Sequence, residues 1–132
     1  MPYDTKNIRN IALFGHSNSG KTTLNEALLF QAHVIPEMGR VDDGKTVSDF
    51  NEQEISKKMS IHSSVSFLEW NNACVNIIDT PGSPDFHGEV VAALKASGSA
   101  LFVVNAENGV EIETIKIWRK CHLPKMVFIN KY

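Results

Sequence analysis

Gly15-His16-Ser17-Asn18-Ser19-Gly20-Lys21-Thr22 follows the apolar run Ile8, Ile11, Ala12, Leu13, Phe14 and leads into a helical pattern beginning at Thr23. A strand that enters a glycine-bounded loop and then a helix is the setting a phosphate-binding loop needs. Gly15 and Gly20 permit a tight backbone path, so successive N–H groups of His16, Ser17, Asn18 and Ser19 can turn toward phosphate oxygens. The helix that follows, with Thr23 in its first turn, adds its positive end and unpaired N–H groups. Lys21 supplies a mobile point charge for the β- and γ-phosphates, and the Thr22 hydroxyl is placed to ligate Mg²⁺. A turn that held Lys-Thr by accident would not need this spacing between a strand and a helix. The stretch implies a nucleoside triphosphate.

Outward from this loop, strand and helix patterns alternate. Residues 8–14 read as a buried strand, and residues 21–33 as a helix with Leu24, Ala27 and Leu28 on its packing face. Residues 34–60 break any period at Pro36, Gly39, Asp42-Asp43-Gly44 and Ser48-Asp49. A connection this long is functional or mobile, or else a plain surface insertion. Residues 61–70 and 73–79 read as two strands joined in a hairpin at Asn71-Asn72. The alternation of Val65 and Phe67 with Ser64 and Ser66 gives the first of these strands one solvated face. The second ends in Asp79-Thr80-Pro81-Gly82, and an acidic residue at the carboxyl end of a buried strand can reach the metal–phosphate site of an open α/β sheet. Alone, this tetrad would be an ordinary turn; paired with the loop upstream, it reads as part of a site.

Residues 85–97 form an amphipathic helix in this reading, with Phe86, Val90, Ala93 and Leu94 inward and Gly98 as its stop. A buried strand at 99–105, a helix at 110–121 and a short strand at 126–130 follow. Ile112, Ile115 and Trp118 would pack that second helix into the core. The order implies an α/β phosphate-loop NTPase fold: a mostly parallel sheet in three layers, with one antiparallel strand from the hairpin. Residues 15–22, 79–82 and 130–131 all fall at carboxyl ends of strands, where such sheets bind ligands.

The composition is that of an ordinary globular domain. The chain has 132 residues, 42% of them hydrophobic and 21% charged, which suits one domain. A net charge of −2 leaves no nucleic-acid footprint on the chain as a whole. Cys74 and Cys121 suit reduced thiols, and the five histidines lack zinc-ligand spacing. With no signal peptide and no apolar run of membrane-spanning length, the expected place is the cytoplasm, without a membrane partner.

The motifs together resemble the amino-terminal part of a translational GTPase of the elongation factor G group. The resemblance rests on residues 15–24, on Gly39-Arg40-Val41 through Asp49 as a first switch, and on Asp79-Thr80-Pro81-Gly82 with Asp85-Phe86 and Glu89-Val90 as a second. Gly109-Val110-Glu111 and Asn130-Lys131 complete it. It implies GTP and GDP as ligands, Mg²⁺ as cofactor and the ribosome as partner of the full-length protein. Asp79 would hold Mg²⁺ through water, the Gly82 N–H would sense the γ-phosphate, and Asn130 and Lys131 would face the guanine ring. Ser60 stands where the group has a Thr that ligates Mg²⁺ in the triphosphate state. Lys21, Gly82 and Ser83 would carry catalysis. The resemblance also implies that residues 1–132 are a G domain truncated before the Asp of Asn-Lys-x-Asp.

Three departures stand out. Lys57-Lys58-Met59-Ser60-Ile61 replaces Arg-Gly-Ile-Thr-Ile, Ser83 replaces the His that orients the attacking water, and Asn18 replaces Asp. They suggest a divergent elongation-factor-G-like branch, with ribosome-protection factors as neighbours. Asn18 also sits fourth in the loop, where GTPases activated by monovalent cations use an Asn to hold K⁺. His87, four residues past the group's catalytic position, reads as a surface residue. Two functions stay open: ribosome-linked GTP hydrolysis, and a GTP-dependent ribosome-binding switch that hydrolyses slowly or not at all.

Overall fold

Residues 3–131 are described by a computed structural model, so Tyr132 lies outside the described residues. The elements are β1 (Ile8–Phe14), α1 (Lys21–Gln31), α2 (Glu52–Lys57), β2 (Ser64–Trp70), β3 (Ala73–Asp79), α3 (His87–Ala96), β4 (Ser99–Asn105), α4 (Ile112–Lys120) and β5 (Lys125–Asn130). One five-stranded sheet runs β2-β3-β1-β4-β5. Only the β2–β3 pair is antiparallel; β1 pairs in parallel with β3 and β4, and β4 with β5. The expected fold is the observed one.

Side chains alternate across a strand, so one sequence serves two layers. Ala12 and Phe14 of β1 join Ile78, Ala100 and Phe102 against Val90 and Ala93 of α3 and Ile117 of α4. Leu13, Leu68 and Ile77 pack on the opposite face against Leu29 of α1. The parallel register sets Leu13 beside Asp79, and the Thr80 hydroxyl ties the two strand ends by donating to Leu13 O at 2.6 Å. Asp79 thus emerges next to the loop that leaves β1. At the hairpin, Asn71 and Asn72 have φ of 48° and 63°. This left-handed pair matches the right-handed twist of the flanking strands, and Asn tolerates it better than most residues.

Several expectations about packing fail, each for a local reason. In α1 the fully buried positions are Asn25, Glu26 and Leu29; Leu24, Ala27 and Leu28 are only half-buried. Polar groups turn inward there because residues 39–48 fold over the helix and use them as hydrogen-bond partners. In β2 one face is solvated, as the alternation implies; it carries Val65 and Phe67, 69% and 57% exposed, whereas Ser66 and Leu68 turn inward. The Ser66 hydroxyl donates to Asn25 Oδ1, which satisfies it in the interior. In α4, Ile112, Ile115 and Trp118 are not core residues: Ile112 is 70% exposed and the other two are partly exposed. Thr114, Ile117 and Cys121 form the buried line instead, about one residue's rotation (~100°) around the helix. Trp118 keeps an edge contact with Phe102, and Lys125 Nζ lies 4.5 Å above its ring. Gly98 does not stop α3. Ser97 does so in extended conformation, donating its hydroxyl back to Ala93 O.

The connection at 34–60 also contains a helix. α2 is six residues long, too short for a periodic signal, yet its start was written in Asn51-x-x-Glu54. The Glu54 carboxylate accepts the Asn51 N–H across that turn. The helix ends at Lys58 in left-handed conformation, φ 52° and ψ 39°. A residue with a Cβ is strained in this conformation, which glycine adopts freely. Lys58→Gly should therefore stabilise the protein by about 0.5–1 kcal/mol, because relief of strain exceeds the weak pairing of Lys58 with Asp42. The urea midpoint would move up with an unchanged m-value; a drop would mean that the side chain contributes more than its conformation costs.

Candidate functional site

The loop between β1 and α1 owes its path to glycine. Gly15 has φ 151°, and a Cβ there would run into Val103 O of the neighbouring strand. Gly20 has φ 98° and caps α1, with Asn130 Nδ2 occupying the space of a Cβ. Asn18 between them is left-handed at φ 62°. Backbone therefore approaches backbone and β5 more closely than a side chain allows.

Lys21, the first residue of α1, folds back under this loop. Its ammonium donates to Gly15 O at 3.1 Å and His16 O at 2.9 Å, and only 6% of the residue is exposed. Burial pushes this ammonium down to about 8, against the pull of Asp79 and Asp49. Asp79 lies across the cleft floor and is 1% exposed. Burial pushes its carboxyl up to about 6, although the Thr22 hydroxyl and Lys21 favour the charged form. Asp49 is raised as well, first by burial, while the Ser60 hydroxyl holds it down.

A chain of hydroxyls and carboxylates crosses the cleft. Thr22 Oγ1 donates to Asp79 Oδ2 at 2.7 Å and lies 3.3 Å from Ser60 Oγ, and Ser60 Oγ donates to Asp49 Oδ1 at 2.6 Å. Asp79 Oδ1 is buried without a hydrogen-bond partner among the described residues. A buried, unpartnered carboxylate oxygen beside two hydroxyls suits a hard divalent cation and its waters. Thr22, Ser60 and Asp79 could thus hold Mg²⁺.

Gly82 closes the cleft from the other side. A Cβ there would come within 2.5 Å of Ser17 N and 2.7 Å of Lys21 Nζ, so the backbone itself faces the loop. Ser83 does not join this group: its hydroxyl caps the short turn Pro84–Phe86 and lies 3.4 Å from Asp85 Oδ2. Asn130 and Lys131 brace the loop from β5, with Asn130 Nδ2 donating to Ser19 O at 3.0 Å and Lys131 Nζ to Asn18 O at 2.6 Å. Thr23 is exposed and lines the cleft, whose volume is about 270 Å³. The fold thus brings residues 15–23, Ser60, Asp79, Gly82, Asn130 and Lys131 together and leaves the Ser83 side chain aside.

Some residues of this region were not legible as site residues. The Glu26 carboxylate accepts the N–H groups of Gly39 and Val47, and Asn25 donates to Ser48 Oγ, so α1 pins the long connection beside the cleft. His16 Nε2 lies 2.8 Å from Glu111 Oε2, which ties the phosphate loop to the start of α4. Glu26 and Asn25 give no periodic signal, whereas Asp49 marks the end of the first-switch resemblance with nothing to show it as a partner of Ser60.

Residues 6–132 match the family described as the elongation factor Tu GTP binding domain. The chain belongs to that family. This GTP-binding domain is 44% identical over 127 residues to the elongation factor G-like protein of Mycobacterium tuberculosis, covering 94% of the chain and 18% of that relative. It is 38% identical to elongation factor G of Mycoplasma genitalium, covering 97% of the chain and 19% of the relative. Against the mitochondrial ribosome-releasing factor 2 of Yarrowia lipolytica, identity is 38%, with 96% and 16% covered. The domain thus spans about a fifth or less of the length of these relatives. A solved structure from Thermus thermophilus superposes with a TM-score of 0.91 at 38% identity, over 94% of this chain and 19% of that one. A bacterial selenocysteine-specific elongation factor, EF-Sec, shares the fold at a TM-score of 0.70 and 23% identity, over 98% and 19%.

The two buried charges make opposite contributions to stability in the GTP-binding domain without added nucleotide. Between the ordinary Asp value of 3.8 and about 6, the folded state binds the Asp79 proton that the unfolded state has lost, so stability falls as pH rises. Between about 8 and the ordinary Lys value of 10.5, the unfolded state binds the Lys21 proton that the folded state has lost, so stability rises with pH. Each effect is on the order of 3 kcal/mol. In urea titrations across pH, Lys21→Met should abolish the recovery above about 8, and Asp79→Asn the fall below about 6. A wild-type profile that matches both variants in both windows would show that the two groups are solvated.

Proposed function

We propose that this domain powers a Mg²⁺-dependent GTP hydrolysis cycle of an elongation-factor-G-like factor on the ribosome, in the cytoplasm. The observation that carries the reading is the hydroxyl–carboxylate chain Asp79–Thr22–Ser60–Asp49, set beside a buried Lys21 under a glycine-bounded loop. Lys21 is positioned to exchange its two carbonyl partners for β- and γ-phosphate oxygens, and backbone N–H groups of residues 15–23 to cradle them. Thr22 and Asp79 would hold Mg²⁺, and Ser60 would leave Asp49 to join them in the triphosphate state. The ion neutralises charge on the phosphates. Gly82 presents its N–H to the γ-phosphate, so loss of that phosphate releases the second switch. Asn130 and Lys131 border the base-binding end. The relatives named elongation factor G and ribosome-releasing factor 2 support the ribosome as partner.

A second reading, a GTP-dependent ribosome-binding switch with slow turnover, is favoured by one observation. The Ser83 hydroxyl is engaged with Asp85 and is too short to orient water at the γ-phosphate. Intrinsic hydrolysis should then be slow, on the order of 10⁻⁴ to 10⁻² s⁻¹. Ser83→His in the full-length factor should raise single-turnover hydrolysis on ribosomes at least tenfold, with nucleotide affinity little changed. A fast wild-type rate together with a neutral or harmful Ser83→His would transfer the water-orienting role to another group.

Asn18 adds a cation prediction. This residue is left-handed and exposed at the fourth loop position, where its amide oxygen would share K⁺ with the phosphates. Hydrolysis should be faster in KCl than in NaCl at equal ionic strength, and Asn18→Asp should narrow the difference. Equal wild-type rates in the two salts would reduce Asn18 to a loop-shaping residue.

A further inference from the structure

Three consecutive backbone N–H groups just downstream of Ser60 are taken by carboxylates and by no strand partner. Ile61 N and His62 N donate to Glu54 Oε1 at 3.0 and 3.1 Å, and Ser63 N donates to Glu89 Oε2 at 2.8 Å. The sheet ladder of β2 begins only at Ser64. Glu54 belongs to the same connection as Ser60, so its bonds are local. Glu89 lies in the first turn of α3, seven residues after Gly82 and 26 residues from Ser63. Its other oxygen is 3.7 Å from His62 Nδ1. The Ser63 N–H is the main reason that the Glu89 carboxyl is held below the usual range; burial opposes the effect and His62 adds to it.

We propose that Glu89 is a positioning residue that couples the two sides of the cleft, by holding the backbone of the Ser60 segment to the first turn of α3. A backbone N–H on a carboxylate is a directional, charge-assisted bond, stronger than an exposed ion pair. It lets a displacement of α3 that starts at Gly82 reach Ser60 three residues upstream of Ser63. Without it, the segment is held by Glu54 and Asp49 of its own connection and by the Ser60–Thr22 hydroxyl contact, and by nothing on α3 among the hydrogen bonds of the described residues. The inference rests on the reading of Ser60 as a Mg²⁺ ligand of the triphosphate state. A contact that orders Ser60 then favours GTP over GDP, because only one of the two states uses Ser60.

The test compares GDP and a non-hydrolysable GTP analogue, each with Mg²⁺, on the full-length wild type, Glu89→Ala and Glu89→Gln. Glu89→Ala should bind GDP within about twofold of wild type, bind the analogue about tenfold more weakly, and exchange the Ser63 amide faster in the analogue complex. Glu89→Gln keeps an acceptor oxygen and should recover most of that loss. An analogue-to-GDP ratio unmoved in Glu89→Ala, or an equal loss of both nucleotides, would overturn the coupling role. If Glu89→Ala does not fold, Glu89→Gln decides alone: the ratio should fall about two- to threefold, and an unchanged ratio overturns the proposal. Wild-type protein that binds neither nucleotide would overturn the underlying reading of the site, a result distinct from wild-type binding with unmoved variants.

Discussion

The Lys21 ammonium, buried under the loop that leaves β1, is the constraint on which the other features of this domain depend. A lysine charge is costly away from water unless its donors are satisfied. Two carbonyls of the loop, Gly15 O and His16 O, satisfy it from above, and Asp79 and Asp49 supply opposite charge from the side. The glycines follow from that demand. Gly15 must let the loop pass against Val103, and Gly82 must bring the exit of β3 within reach of Lys21 itself. The Asp79 carboxylate is buried at the same point and keeps one oxygen without a partner. Both groups hold their charge at a cost in stability, and an anion with a divalent cation is the combination that relieves both at once.

The connection at 34–60 shows a different way to position backbone. It has few buried apolar side chains, so area burial contributes little to its placement. Carboxylates and amides of the neighbouring elements take up its N–H groups and hydroxyls instead: Glu26 holds Gly39 and Val47, Asn25 holds Ser48, and Glu54 gathers Asn51, Ile61 and His62. Such contacts are specific in geometry yet individually modest. The single long-range tie from α3, through Glu89, lies where this segment rejoins the sheet.

The same economy explains the exposed apolar residues. Ile112, Ile115 and Trp118 on α4, and Met126 to Ile129 on the edge strand β5, remain exposed, Trp118 keeping its edge contact with Phe102. Periodicity reports that a helix has an apolar stripe. It does not report which of two adjacent stripes meets the sheet. For α4 the line of Thr114, Ile117 and Cys121 meets it, because Phe102 and the end of α3 lie on that side.

The sequence by itself determined the order of elements, the parallel sheet with its one antiparallel hairpin, and the loop, Asp79 and Gly82 at strand ends. These rest on local rules: apolar runs, glycine where φ is positive, and acidic residues at strand termini. It did not disclose that α1 buries Asn25 and Glu26 or that Val65 and Phe67 face outward, and of α2 it carried only the capping pair Asn51 and Glu54. Nor did it disclose the partners of Lys21, the His16–Glu111 contact, or the hold of Glu89 on Ser63. The contacts of Asn25, Glu26, Glu111 and Glu89 join residues well separated in the chain, and Asn25 and Glu26 turn inward because such partners await them. Local pattern carries no record of such partners, since a buried polar group is acceptable only where the tertiary fold supplies its hydrogen bond.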